Sequence, residues 1–411
     1  MIALLRQTRT NLYTLNALTG VLDACEVPWE ACRSAAELCT AAERARRRRD
    51  RALALYSFPT LQLPDVRREV ANLRRENPGL RFLAGGPHTS ADPEGALALG
   101  FDHVFVGEAE ETLPAFLASG EGAPVSRGEG RVCLDAFPPF GRGRHGPVEL
   151  TRGCAFGCGF CAVGGRPPRH RSHAPVLAAV ADLCARGRPA VSFITPDALT
   201  YGGGLDALEA LLRGLREVGA APALGIFPSE VRPERVTPDA AALLRAHCRN
   251  RALVIGGQSG SDAVLRRLGR GHTAGDVTRA ARVARAAGFL PHVDLIFGLP
   301  EESLEDRKAT VRLASDLRRT TGAKIHAHYF HPLPGTPLWG REPTPLDPET
   351  RAFLVGLRAA GAEDGYWQTQ ESWAWQVLAW GRMGWIRTPP GPRRPPGPAG
   401  RGGSTLLPAD D

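Results

Sequence analysis

Three closely spaced cysteines constrain this chain more than any other feature of its sequence. Cys154, Cys158 and Cys161 follow the pattern Cys-x3-Cys-x2-Cys, directly after an apolar stretch that begins at Val148. Three thiolates at this spacing can bind three irons of a [4Fe–4S] cubane, which normally takes four cysteine ligands. The fourth iron then has an open position that can chelate the amino and carboxylate groups of a cosubstrate. The sequence therefore predicts an iron–sulfur site with an open iron.

The remaining cysteines agree with a metal site rather than with disulfides. The chain has 9 cysteines and shows neither a signal peptide nor an apolar run long enough to span a membrane, so we expect a cytoplasmic protein with free thiols. Zinc is the main alternative metal, but structural zinc favours four ligands in paired knuckles, and His170 or His173 would have to supply the fourth. The six dispersed cysteines are best interpreted as buried apolar thiols.

Alternating apolar and helical stretches predict an α/β protein with two domains. Residues 1–118 are expected to form a Rossmann-like, doubly wound domain on a parallel sheet, followed by a linker rich in Gly and Pro over 119–145. Six strand–helix units over 146–340 predict a partial (β/α)6 barrel. A helical, Trp-rich extension over 341–385 is expected to pack on the barrel, and 386–411 to be disordered. The six barrel strands are predicted at 148–152, 189–195, 222–228, 251–257, 291–297 and 323–330.

The net charge of +8 raises the question of a nucleic-acid partner. Among the 51 basic residues only Lys308 and Lys324 are lysines, so the excess of arginine is a bias of the whole sequence. The charge alone therefore does not indicate a nucleic-acid partner, and it does not exclude one.

Unusual residues follow every predicted barrel strand at its carboxyl end, where βα barrels place their chemistry. Besides the cysteine loop, the segments are Thr195 to Asp197, Pro228 to Arg232, Gly256 to Gly260, Gly298 to Glu301 and His331 to Thr336. This agreement predicts one active face. On the last strand, His326 and His328 alternate and so share a face. They could bind substrate or a metal, although filling the barrel is the simpler interpretation.

The cysteine motif, with Phe160 before its last cysteine, resembles the signature of the radical S-adenosylmethionine (SAM) superfamily, and the six βα units resemble its partial barrel. The resemblance implies a [4Fe–4S] cluster, SAM, reductive cleavage of SAM to a 5′-deoxyadenosyl radical, and an electron donor such as flavodoxin or ferredoxin. The usual Gly-Gly-Glu after the second strand is Thr-Pro-Asp here, so the contact to the SAM amino group would come from Asp197 or from elsewhere. No catalytic residue is assigned. The implied SAM contacts are Asp197, Glu230, Arg232, Gln258, Ser259 and Gly298.

The first domain resembles cobalamin-binding domains fused to radical enzymes, through Ala84-Gly-Gly-Pro-His-Thr89 and Asp102-His-Val-Phe-Val-Gly-Glu108. Ligands of such sheets bind at the carboxyl ends of the strands. The Asp-x-His-x-x-Gly motif is absent after the first strand, so cobalamin would lack a histidine ligand from it. A domain that serves only as a scaffold is the alternative. The implied cobalamin contacts are Ser57, Thr60, Gly85, Gly86, Gly107 and Glu108.

These resemblances together predict a cobalamin-dependent radical SAM enzyme. The favoured outcome is methyl transfer to a carbon or phosphorus centre of an unidentified substrate. The Gln258-Ser259 segment is similar to that of methylthiotransferases, so thiomethylation of RNA or protein is a second hypothesis. A non-catalytic cobalamin or redox sensor is the third.

Overall fold

A computed structural model describes residues 1–120, 122–128 and 131–389. Within the described residues, its strands form one six-stranded sheet in the first part of the chain, and two three-stranded sheets and one two-stranded sheet in the second. Within the described ranges, no helix combines the length and apolar character that a membrane span needs.

The first sheet is parallel throughout, with the strand order β2-β1-β3-β4-β5-β6. Its strands are β1 (Ile2–Arg6), β2 (Trp29–Cys32), β3 (Ala52–Ser57), β4 (Arg81–Gly85), β5 (His103–Val106) and β6 (Val125–Arg127). The order reverses between β1 and β3, the kind of point at which doubly wound sheets bind ligands. The prediction of a doubly wound domain is confirmed. The helices around the sheet are α1 (Leu12–Ala24), α2 (Ala35–Arg48), α3 (Leu63–Glu76), α4 (Gly86–Ala91), α5 (Pro93–Ala98) and α6 (Thr112–Ser119).

Two strands of this sheet are missing from the sequence prediction. β2 has only four residues, of which Cys32 is buried and the other three are partly exposed. It therefore contains no continuous apolar run that would predict a buried strand. β6 falls within 119–145, where a linker was expected, and pairs with β5 from Val104 to Val106. The linker prediction is wrong for this segment because the free edge of β5 supplies backbone partners that no side-chain pattern reveals.

Eight strands build the second part. They are β7 (Val148–Glu149), β8 (Thr151–Cys154), β9 (Arg166–His170), β10 (Ala190–Ile194), β11 (Ala221–Ala223), β12 (Ala252–Gln258), β13 (Leu290–Phe297) and β14 (Lys324–Tyr329). The orders β11-β10-β7 and β12-β13-β14 are parallel, and β8 pairs with β9 antiparallel. The helices are α7 (His173–Ala185), α8 (Leu205–Glu217), α9 (Pro238–His247), α10 (Asp262–Arg267), α11 (Ala274–Ala286), α12 (Leu304–Thr321), α13 (Pro348–Ala359) and α14 (Trp367–Arg382).

The third predicted barrel strand, 222–228, is shorter than expected. β11 ends at Ala223 because Gly225 has a φ of +79°, a conformation that breaks an extended strand. The two sheets are nevertheless joined past this break. Val254 donates its N–H to the Gly225 carbonyl at 2.8 Å, and Val231 donates to the Val254 carbonyl at 2.9 Å. The curved wall of a partial barrel is therefore continuous.

Alternation along the barrel strands separates an outer core from an inner face. On β14, Ile325, Ala327 and Tyr329 are buried against the surrounding helices, and the residues between them face inward. Helix α8 covers this wall with Leu208, Leu211, Leu212 and Leu215, whose spacing places them on one face. The inner face is consequently available for polar groups.

The C-terminal extension contacts both parts of the chain. On α14, Trp367 is buried in the barrel core, whereas Trp380 packs in the core of the first sheet, and Trp373 remains partly exposed. The extension was expected to pack on the barrel alone. Its tryptophans instead contact both the barrel core and the core of the first sheet. Disorder predicted over 386–411 is wrong for residues 386–389, where Thr388 bonds to Asp92. Residues 390–411 lie outside the described residues.

Candidate functional site

The three cysteines lie on a loop that is fastened at both sides. The Gly159 N–H donates to the Leu268 carbonyl at 2.9 Å, and the Gly165 N–H donates to the Phe156 carbonyl at 2.9 Å. Gly153 has a φ of +89°, and a side chain there would lie 2.6 Å from the Pro167 carbonyl of β9. The β8–β9 pair and these glycines thus hold the loop at the carboxyl end of the first barrel strand.

The arrangement of the thiols fits a cluster better than a single zinc. Among the described residues, the three sulfurs do not all lie within 4.8 Å of one another. Around one tetrahedral zinc, sulfurs at about 2.3 Å would lie roughly 3.8 Å apart. Burial raises the pKa of the Cys154 thiol, and the backbone N–H of Phe156 opposes that rise. Ligation to a cation would favour the thiolate form.

Two arginines support the loop. Arg270 is buried and donates from Nη1 to the Cys158 sulfur at 3.5 Å and from Nη2 to the Gly256 carbonyl at 2.7 Å. The Arg232 guanidinium lies 3.4 Å from the centre of the Phe156 ring and also donates to the Arg270 carbonyl. Arg270 therefore connects the cysteine loop with the barrel interior, and Arg232 holds the loop in place.

The barrel interior beside Arg270 contains two carboxyl groups. Glu230 follows the break after β11, and Asp294 lies on the inner face of β13 with 7% of its surface exposed. Burial raises the pKa of both groups, and the Glu230 carboxylate adds to the rise at Asp294. Gln258 joins them, since its amide nitrogen and the Arg270 guanidinium both lie within 3.2 Å of the position a Gly256 side chain would take. These four interior polar residues lie near one another, and their carboxylate, amide and guanidinium groups can bind hydroxyl groups.

The other residues implied as SAM contacts are occupied differently. Asp197 caps the turn at Leu199 and pairs with Arg235 at 3.1 Å, and burial raises its pKa. The Ser259 hydroxyl lies 3.2 Å from that of Thr310 on α12 and accepts the Ser261 N–H. Gly298 has a φ of +72°, and a side chain there would lie 2.4 Å from the Tyr329 ring.

A cavity of about 530 Å³ lies between the first sheet and the cysteine loop. On one side it is lined by the carboxyl ends of β3, β4 and β5. On the other side it is lined by Gly153, Ala162 and Val163, which flank the cysteines in sequence. None of the described residues that line it is a histidine. The two predicted cofactor sites therefore face each other.

The first sheet brings five of its six implied cobalamin contacts to this cavity, namely Ser57, Gly85, Gly86, Gly107 and Glu108. The Ser57 hydroxyl is buried without a hydrogen-bond partner, and a side chain at Gly86 would lie 2.3 Å from it. Thr60 is not part of the lining, because its hydroxyl contacts His88 Nδ1 at 3.2 Å. An unpaired hydroxyl and close backbone fit a large polar ligand.

An ion cluster joins the two parts of the chain beside the cavity. Arg152 on β8 lies 2.6 Å from Glu110, 3.3 Å from Glu108 and 2.7 Å from Glu149, and Arg169 on β9 bonds to Glu108 at 2.9 Å. Burial alone would raise the pKa of Glu108, but the bond from Arg169 and the charge of Arg152 outweigh it and hold that pKa below its usual range. Glu108 therefore links the two domains.

Sequence reasoning assigned no role to the Arg270 side chain and missed Asp294. Asp294 is a single charge inside an apolar strand, and a buried charge needs a partner or a function, so it could have been singled out. Arg270 follows α10 and begins the segment Arg270 to Thr273, which resembles a segment of methylthiotransferase-like and cobalamin-dependent radical enzymes, but that resemblance gives its side chain no role.

Two family models match the chain. The model of the radical SAM superfamily matches residues 148–314, and the model of the B12 binding domain matches residues 25–117. An uncharacterized protein of Methanopyrus kandleri is 27% identical over 333 residues, which is 64% of this chain and 63% of the relative. The threonylcarbamoyladenosine tRNA methylthiotransferase MtaB of Treponema pallidum is 32% identical over 238 residues, 55% of this chain and 46% of that protein. The chain thus spans less than two thirds of these relatives.

Solved structures with a similar fold include two proteins that were determined with cobalamin bound. The radical SAM methyltransferase TsrM from Kitasatospora setae, with cobalamin and a [4Fe–4S] cluster bound, matches with a TM-score of 0.62 at 17% identity, covering 82% of this chain and 74% of TsrM. The cobalamin-dependent SAM radical enzyme OxsB matches with a TM-score of 0.57 at 15% identity, covering 76% and 51%. The two resemblances inferred from sequence are confirmed. The chain carries a B12-binding domain followed by a radical SAM domain, and its cofactors are accordingly a [4Fe–4S] cluster, SAM and cobalamin.

Proposed function

We propose that the protein is a cobalamin-dependent radical SAM methyltransferase that modifies a carbon or phosphorus centre. The observation that carries this proposal is the cavity of about 530 Å³, which adjoins both the carboxyl ends of the first sheet and the residues beside the cysteine ligands. A scaffold domain would have no need of a lined cavity at this position.

Roles follow for the three cysteines, for three of the interior polar residues and for Gly298. Cys154, Cys158 and Cys161 would ligate the cluster, and Glu230 and Asp294 would accept hydrogen bonds from the ribose hydroxyls of SAM. The Gln258 amide would donate and accept hydrogen bonds with SAM beside these carboxylates. Gly298 has no side chain, so its backbone would be open to SAM. Since Asp197 and Ser259 already have partners within the protein, they would act by holding the strand ends.

When bound, the cluster supplies the electron that cleaves SAM, and cobalamin supplies the carrier of the methyl group. The chain prepares this chemistry with fixed charges. Arg270 places a buried positive charge on the Cys158 sulfur, which stabilises the additional negative charge of a reduced site. Ser57 would bind a polar group of cobalamin, and none of the described residues that line the cavity would offer an imidazole to the cobalt.

The partners follow from the same chemistry. We propose that a low-potential carrier such as flavodoxin or ferredoxin donates the electron. We further propose that the protein works in the reducing cytoplasm, because the nine cysteines are all free thiols.

The central experiment is anaerobic incubation of the reconstituted protein with dithionite and SAM, followed by quantification of 5′-deoxyadenosine, methionine and S-adenosylhomocysteine. We expect all activity to vanish in Cys158→Ala and to persist in Cys184→Ala, which removes a thiol of α7 away from the loop. A wild-type protein with a complete cluster that forms none of these products would reject the enzymatic proposal.

Cobalamin binding has its own test. Added cobalamin should be retained on gel filtration by the wild type, and Ser57→Val should bind it about three- to tenfold more weakly, as expected for one lost hydrogen bond. Thr200→Val, which alters a hydroxyl bonded to the Asp197 carbonyl outside the cavity, is the matched control. Equal affinities of wild type and Ser57→Val would remove Ser57 from the site, and an absence of binding in the wild type would support the scaffold alternative.

A second candidate function is thiomethylation of tRNA, favoured by the 32% identity to MtaB. It predicts that nucleosides from tRNA treated with the loaded protein gain a methylthio group. Methylated but sulfur-free products would instead favour the first proposal.

A further inference from the structure

A group of metal-ligating side chains lies on the inner face of the last two barrel strands, apart from the cysteine loop. Within the part of the chain that the structure describes, it is formed by His292 of β13, His326 of β14 and Asp364, whose donor atoms all lie within 4.8 Å of one another. We propose that these three residues bind one divalent first-row cation, with Zn²⁺ as the representative ion.

The distances match those around a small cation. His292 Nε2 and His326 Nδ1 each lie 2.9 Å from the same oxygen of Asp364, Oδ1. Ligands at about 2.0–2.1 Å from a tetrahedral zinc lie roughly 3.3 Å apart, so a small outward adjustment accommodates the ion. Without an ion, two ring N–H groups must converge on one oxygen. A divalent cation between the two ring nitrogens and the carboxylate would remove this crowding, with each imidazole carrying its proton on the other ring nitrogen.

The strand register explains why the two histidines meet. His292 lies opposite Lys324, and Asp294 lies opposite His326, so the histidine side chains occupy neighbouring positions on one face. Their rings are 5.6 Å apart at an angle of 79°. Two imidazoles and one carboxylate form a common donor set for Zn²⁺ or Fe²⁺ that leaves further positions open for water or substrate.

Asp364 is held in position by its backbone. The Asp364 N–H donates to the Ile325 carbonyl at 3.3 Å, and Ile325 donates back to the Ala362 carbonyl at 2.9 Å. The adjacent Glu363 carboxylate is buried and accepts the Ala327 N–H at 3.4 Å. The segment therefore runs beside β14 like an additional strand, and the carboxylate is preorganised rather than freely mobile.

Access and charge also agree with a metal site. The Asp364 side chain is 41% exposed, whereas those of His292 and His326 are 21% and 22% exposed, so an ion can enter from solvent. Lys324 lies 3.7 Å from the other carboxylate oxygen, Oδ2, which leaves Oδ1 for the ion. Because the ammonium group repels a cation, its removal should strengthen binding.

The test uses cluster-loaded holoprotein under anaerobic conditions, so that the cluster cysteines are not available to the probe. Zn²⁺ is titrated by calorimetry, and Co²⁺ absorption identifies nitrogen and oxygen ligands by d–d bands without thiolate-to-cobalt charge transfer. We expect one ion per chain in the wild type, at least tenfold weaker binding in His292→Ala and Asp364→Asn, and tighter binding in Lys324→Met. His173→Ala, which alters a half-buried histidine stacked on Tyr201, is the matched control and should bind as the wild type does.

Thermal unfolding gives a second readout, since a ligand of the native state raises the melting temperature. Zn²⁺ should stabilise the wild type and His173→Ala but not Asp364→Asn, whose amide can still accept a hydrogen bond and preserve the fold. Equal zinc binding by wild type and Asp364→Asn would overturn the proposal, and so would an absence of binding by the folded wild type. These outcomes do not depend on SAM cleavage.

Discussion

Arg152→Met tests whether the ion cluster between the two domains stabilises the protein. The substitution keeps most of the apolar stem but removes the guanidinium from three carboxylates, Glu108, Glu110 and Glu149. Breaking a buried ion pair by removing one partner costs roughly 3–5 kcal/mol. Because Arg169 still neutralises Glu108, we expect a loss near the lower limit, about 3 kcal/mol. For domains of this size that lowers the melting temperature by roughly 6–12 °C.

The effect should depend on pH in a defined direction. The charge of Arg152 helps to hold the pKa of Glu108 below its usual range, so this contribution to stability is complete above the unfolded-state pKa of about 4.3 and is lost as pH falls through the folded-state value. The difference from wild type should therefore be smaller at about pH 3 than at about pH 7. Unfolding by urea, followed by tryptophan fluorescence at both pH values, measures it.

A surface arginine provides the control. Arg47 pairs with Glu43 at 2.9 Å, but its side chain is 76% exposed, so Arg47→Met should leave stability within experimental error. If Arg152→Met unfolds at the same urea concentration as Arg47→Met, or if its loss of stability does not vary with pH, the assignment of a stabilising interdomain cluster is wrong.

Three further predictions concern the interior. Gly298→Ala should destabilise the protein by about 2 kcal/mol or more in urea unfolding, because its Cβ would lie 2.4 Å from the Tyr329 ring. Gly322→Ala is the control: Gly322 has a φ of +68° and open space around it, so this variant should show only the conformational penalty of about 1 kcal/mol. Burial lowers the pKa of His88 to about 4, although the charge of Asp92 opposes the shift. Because the unfolded chain takes up this proton near pH 6.5 and the folded protein only near pH 4, the protein should lose stability as pH falls from about 6.5 to 4. The free energy of unfolding in urea should fall less steeply between pH 7 and pH 4 in His88→Phe than in the wild type. Equal falls in the two proteins would contradict a role of His88 in this pH dependence. Arg270→Met should lower the reduction potential of the cluster, because the substitution removes a positive charge from beside the Cys158 sulfur. Redox titration followed by EPR measures this potential, and an unchanged value would show that the charge of Arg270 does not act on the cluster.

The sequence predicted those parts of the fold that follow from local patterns. Strands such as β3 and β13 were predicted because their residues are apolar and continuous, and the cysteine loop because its spacing is specific. β6 and β9 were not, since β6 depends on the free edge of β5 and β9 contains two prolines among exposed residues. Their position is determined by backbone partners that are distant in sequence.

The site was predictable to a similar extent. Cys154, Cys158, Cys161 and the glycines at strand ends follow from chemistry that a motif expresses. The meeting of Arg270 with Cys158, or of His292 with Asp364, depends on how strands and loops are aligned, and 112 and 72 residues separate these pairs along the chain. Composition and periodicity do not encode such pairs.

The contact between Asp92 and Thr388 has a consequence for biosynthesis. The Asp92 carboxylate is buried in the first domain and accepts the Thr388 N–H from 296 residues further along the chain. At about 5–20 residues per second, a ribosome needs roughly 15–60 s to add that segment. During this interval the first domain has emerged while its final cover, including Trp380 and Ile386, has not yet been synthesised. The nascent chain therefore displays an apolar surface that is covered only when translation ends.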